Sequence, residues 1–148
     1  MKYLEEAVKQ AEKSKCEQAK CGCVIVKDGK IIGRGFNSPP AELESQRRCS
    51  NSKQDFNEKV TDKTCCMHAE QRAIIDALKN NPNLIKGADL YFIRINDDGT
   101  KIPAEKPYCT ICSKMALDVG IKNFILFHKE GLRFYDTQEY NDLSFGFR

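Results

Sequence analysis

The sequence has no run of eighteen apolar residues, so no transmembrane helix is expected. Charge of one sign is also missing. Lys+Arg number 24 and Asp+Glu 21, and the formal charge of +3 is too mild to argue for nucleic acid on its own. There is no internal repeat, no low-complexity segment and no linker that would divide the chain. The first residues, Met1-Lys2-Tyr3-Leu4-Glu5-Glu6, are charged and amphipathic and do not read as a secretory leader, so a cytoplasmic protein is expected. Histidine is scarce; His68 and His128 are the only two.

Cysteine, by contrast, is plentiful: eight in 148 residues. Without a secretory leader, metal binding is a better reading of them than a disulfide framework. Two motifs stand out. Cys66-Met67-His68-Ala69-Glu70 precedes an apolar, helix-prone run, and Cys109-Thr110-Ile111-Cys112 precedes another. On a regular helix His68 and Glu70 would point about 200° apart, so they converge only across a helix start. A distant His and a C-x-x-C pair give three ligands, which leaves one tetrahedral zinc position open, as in catalytic sites. A carboxylate beside the ligand His is then a candidate proton shuttle.

The order of elements supports that geometry. Residues 2–14 carry apolar side chains at helical spacing (Leu4, Ala7, Val8, Ala11). Two β-branched runs flank Asp28-Gly29, a hairpin signal, so the first two strands should be antiparallel. Residues 41–64 are polar and aperiodic, a long loop or insertion. A helix over 66–80 follows, then a strand over 88–95, a loop over 96–106, a helix over about 109–119 capped by Gly120, and a strand over 123–128. The strand–helix–strand unit should be parallel, which would bring the two helix starts to one edge. Leu132-Arg133-Phe134-Tyr135 reads as a fifth strand, antiparallel to the fourth because no crossover helix fits between them.

With these residues in place, the chain resembles the zinc-dependent cytidine and deoxycytidylate deaminase superfamily. Its signature is H-x-E followed by P-C-x-x-C, matched by His68-Ala69-Glu70 and Cys109-Thr110-Ile111-Cys112. Gly35-Phe36-Asn37 and the insertion resemble the deoxycytidylate branch; the antiparallel end resembles the free-nucleoside branch. Tyr108 stands between Pro107 and Cys109, and Arg72 stands where the deoxycytidylate branch has Asn. The resemblance implies a three-layer α-β-α sandwich with a mixed five-stranded sheet. It implies one deaminase domain over 1–148, with an insertion at about 38–64.

The resemblance also implies roles. His68, Cys109 and Cys112 would hold a catalytic zinc, Glu70 would shuttle the proton, and Asn37, Phe36 and Ala69 would contact substrate. The reaction would be hydrolytic deamination of cytosine in a free nucleotide or nucleoside, by a homo-oligomer. The alternatives are a deaminase acting on RNA or single-stranded DNA, and a zinc-stabilised binding module without turnover. Nucleic acid is not favoured, because the charges of the insertion nearly cancel. Some deoxycytidylate deaminases carry a second, structural zinc. Cys16, Cys21, Cys49 and Cys65 or Cys66 are candidates for one here.

Overall fold

The computed structural model describes residues 2–148. The elements are α1 (Lys2–Ala11), β1 (Lys20–Lys27), β2 (Lys30–Phe36), α2 (Ala69–Asn80), β3 (Asp89–Ile95), β4 (Lys101–Ile102), α3 (Thr110–Asp118), β5 (Asn123–His128), β6 (Gly131–Asp136) and α4 (Thr137–Phe145). The main sheet runs β2-β1-β3-β5-β6. β1 pairs antiparallel with β2 and with β3, β3 is parallel to β5, and β6 is antiparallel to β5. Asp28 and Gly29 turn the first hairpin with positive φ of 49° and 78°, which Gly and Asp tolerate best.

Strand alternation sorts the core into two halves. Cys23, Ile25, Leu90, Phe124 and Leu126 face α2, α3 and α4. Val24, Val26, Tyr91, Ile93 and Ile125 face α1 on the other side. The result is the expected α-β-α layering around a mixed five-strand path.

Two elements were not anticipated. β4 lies inside the expected 96–106 loop and pairs with β3 through two residues. It is too short to leave a periodic signal. α4 follows β6 directly. Asp136 caps it, accepting hydrogen bonds from the backbone N–H groups of Gln138 (3.0 Å) and Glu139 (3.3 Å). Tyr140 anchors it by stacking on Phe124 at 3.8 Å between ring centroids.

The insertion forms a loop whose two ends meet. Ser38 and Met67 bridge by Ser38 N–H to Met67 O (3.3 Å) and Met67 N–H to Ser38 O (2.8 Å). Between them lie only short 3₁₀ turns.

Candidate active site and metal centre

His68 is the N-cap of α2 and Cys109 the N-cap of α3. The His68 backbone N–H donates to Gln71 Oε1 at 2.9 Å, which fixes the first turn of α2. α2 lies close on β2 because that strand is glycine-bearing there. A Cβ on Gly35 would sit 2.5 Å from both Ala69 O and Ala73 N. Gly35 therefore sets the depth at which His68 and Glu70 enter the site.

The three ligand atoms converge. His68 Nδ1 is 3.3 Å from Cys109 Sγ and 3.3 Å from Cys112 Sγ, and all three atoms lie within 4.8 Å of one another. Cys109 is held down to about 4, first by the hydrogen bond from Cys112 and then by that from His68. The same contacts push Cys112 up and raise His68 to about 9. These groups compete for protons at one point. A divalent cation there would take the protons' place, since thiolate and neutral imidazole are the forms that bind metal. The donor set thus fits zinc, with two soft thiolates and one imidazole.

Glu70 stands beside this set, 5% exposed. Burial pushes its carboxyl up to about 7, the charge of Cys109 adds to this, and the positive charge of His68 works against it. An acid tuned to neutrality is suited to both accepting and returning a proton.

A cleft of about 460 Å³ opens over His68, Ala69, Glu70 and Cys109. That volume suits a small ligand. Ala69, fully buried, forms its floor at the start of α2. Asn37 lines the wall, with Oδ1 accepting from Cys21 N–H (2.9 Å) and Nδ2 donating to Ala19 O (2.8 Å). One amide N–H and one lone pair are left for a ligand.

The structure places two of the expected residues apart from the rest. Phe36 does not line the cleft; its ring lies under Arg72, whose guanidinium carbon is 5.8 Å from the ring centroid. Arg72 also donates to Ser38 Oγ and pairs with Glu42 at 3.2 Å, fastening the start of the insertion to α2. Cys21 does not join the other thiols. It lies on the cleft wall near Glu70, and burial raises it to about 12. The aromatic rings that do line the cleft are Phe92 and Tyr108. Phe92 was legible in principle, since alternation puts it with Leu90 on the sheet face that carries α2 and α3. Tyr108 fills the extra position before Cys109 and is 67% exposed.

Comparison with known proteins adds the following. Residues 1–128 match the family described as the cytidine and deoxycytidylate deaminase zinc-binding region. A deoxycytidylate deaminase of Mycobacterium phage D29 is 31% identical over 129 residues, covering 83% of this chain and 89% of that protein. A tRNA-specific adenosine deaminase of Streptococcus pyogenes is 37% identical over 82 residues, covering 55% of this chain and 39% of that protein. The crystal structure of cytidine deaminase from Burkholderia pseudomallei shares the fold, with a TM-score of 0.60 at 18% identity over 94% of this chain and 93% of that one.

Proposed function

The chain belongs to the cytidine and deoxycytidylate deaminase family, and from that premise we propose that it hydrolyses the exocyclic amine of cytosine in a free nucleotide or nucleoside, giving the uracil product and ammonia. The observation that carries this reading is the buried Glu70 carboxyl beside a three-donor set, facing a ligand-sized cleft.

His68, Cys109 and Cys112 would hold zinc, which when bound lowers the pKa of a water from about 15.7 toward about 7. Glu70 accepts a proton from the attacking water and delivers it to ring N3. It then carries the remaining proton, from the hydroxyl added at C4, to the amino group, which leaves as ammonia as the C4–N bond breaks and the C4=O bond forms. Asn37 orients the sugar or base with its free amide valences. Phe92 and Tyr108 flank the ring, a role that Phe36 is not placed to fill. The starts of α2 and α3 favour negative charge at the reacting centre by ~0.3–1 kcal/mol each.

We read 1–148 as one deaminase domain. The homo-oligomer reading draws support from Leu143, Phe145 and Phe147, which are 42%, 62% and 44% exposed on or just after α4. No helix among the described residues is long and apolar enough to cross a membrane.

The tRNA-deaminase similarity keeps one competing reading, a polynucleotide substrate. Ammonia release from dCMP, cytidine and a cytosine- and adenosine-bearing oligonucleotide, measured side by side, separates the two. Turnover of dCMP or cytidine is expected, with none of the oligonucleotide. Turnover confined to the oligonucleotide would contradict the proposal.

A further inference from the structure

Between β4 and α3 the chain runs from Ala104 to Cys109, and Tyr108 and Cys109 at the end of this loop line the cleft. Ala104 is tied at both backbone polar atoms. Its N–H donates to Phe127 O (2.7 Å), and its carbonyl accepts from His128 Nδ1 (2.8 Å). A carbonyl only accepts, so Nδ1 carries the proton, and Nε2 accepts from the Tyr135 hydroxyl (2.7 Å). Past Ala104, residues 105–108 make no hydrogen bond among the described residues. Pro107 is buried, which fixes the backbone path but not the Tyr108 side chain. Tyr108 is 67% exposed. An exposed tyrosine without a partner spreads over several rotamers, and ordering it when a ligand binds costs affinity.

Phe147, just after α4, supplies a partner. Its ring lies edge-on to the Tyr108 ring, with 6.0 Å between centroids and 64° between planes. That is an arrangement the ring quadrupoles favour. Phe147 is itself anchored. Its N–H donates to Ser144 O (3.4 Å). The buried Ser144 hydroxyl donates to Tyr140 O (2.8 Å), and Tyr140 stacks on Phe124 in the core. α4 is also tied to α3, since Ser113 Oγ, one residue past Cys112, donates to Asn141 Oδ1 at 2.7 Å. The matched family region ends at residue 128, so β6, α4 and Phe147 all lie beyond it.

We propose that Phe147 is a positioning residue for Tyr108: it holds the tyrosine ring at the lip of the cleft and so sets the affinity for the base-bearing substrate. Phe147 does not line the cleft; it lines a second cavity with Pro107 and His128. Its influence on substrate therefore passes through Tyr108. This role rests on the reading of the cleft as a deaminase site. Phe147 acts on binding and takes no part in the proton transfers of Glu70. Its loss should raise KM and leave kcat nearly unchanged, the mark of binding shared by ground and transition states.

The test is a double-mutant cycle of Phe147→Ala, Tyr108→Ala and the pair, read as KM and kcat for whichever of dCMP and cytidine the parent turns over. Phe147→Ala should raise KM roughly two- to tenfold, the span of one aromatic pair. Phe147→Tyr, which keeps the ring, should restore the parent KM. In the Tyr108→Ala background, Phe147→Ala should change KM no further, because the interaction it removes is already gone. An equal effect in both backgrounds, or none in either, would overturn the inference. A second readout needs no turnover. With 3-fluorotyrosine incorporated, the fluorine resonance lost in Tyr108→Phe marks Tyr108, and Phe147→Ala should displace it. Phe147→Leu, which keeps apolar bulk without a ring edge, should do the same and covers the case in which the alanine variant does not fold. An unmoved resonance would overturn the inference. A displaced resonance in a protein that turns over neither substrate would count against the deaminase reading and leave the tie between Phe147 and Tyr108 standing.

Discussion

Glu70 and Cys109 gain their reactivity from their surroundings. Glu70 is an ordinary carboxyl pushed up to about 7 by burial, and Cys109 an ordinary thiol drawn down to about 4 by its neighbours. The residue types and spacings of this group could be read in the sequence. The partners of Asn37 and Phe36 could not. Both directly follow or end a strand, and a strand ending does not say which side chain turns to the cleft. Asn37 turns in and binds the Cys21 and Ala19 backbone; Phe36 turns out beneath Arg72. Cys109→Ala should remove one zinc per chain and lower the melting temperature by more than about 4 °C, the shift that ~1–2 kcal/mol gives at this length. Metal analysis and calorimetry check this together. Full zinc with unchanged melting would exclude Cys109 as a ligand.

Among the elements, α2 matters most, because it carries His68 at its cap and Glu70 in its first turn. Its position depends on the glycines of β2. In Gly35→Ala the new methyl would meet backbone atoms of Ala69 and Ala73 at 2.5 Å, and backbone cannot swing aside as a side chain can. Overpacking of this kind costs about 1–3 kcal/mol. A lower melting temperature and a fall in kcat are both expected, since the helix start must lift with its catalytic groups. Unchanged kcat would mean that α2 does not need this seat. The elements also show why one helix escaped the sequence. α4 buries Thr137, Tyr140 and Ser144. Their spacing is helical, but two of the three are polar, so no apolar stripe appears. The remaining signal was Asp136 with Glu139 three residues on, an N-terminal capping pattern that a strand reading of 132–135 obscured.

At the scale of the whole molecule, the layering and the β1–β2, β3–β5 and β5–β6 pairings were legible, because each strand's period of two and each helix's period of 3.6 assign a face; the central β1–β3 pairing was not, since no local signal joins strands so far apart in the chain. The parallel β3–β5 pair then follows from the helix between them, and the antiparallel β6 from the lack of room for another. The insertion was legible only as an absence of pattern. Its ordering depends on contacts between distant segments, Arg47 with Lys15 and Arg72 with Glu42, which no local period records. The central claim for the molecule is that a carboxylate, not a metal ligand, moves the proton in a hydrolytic deamination. Glu70→Gln tests it most directly, with zinc content, melting temperature and ammonia release from dCMP and cytidine measured on one preparation. The amide keeps the shape of the carboxylate but cannot accept a proton at neutral pH. Zinc and folding should be retained, with turnover lower by at least ~10²–10⁴-fold, the usual contribution of general acid–base catalysis. Near-normal turnover, or loss of zinc in this variant, would contradict the account.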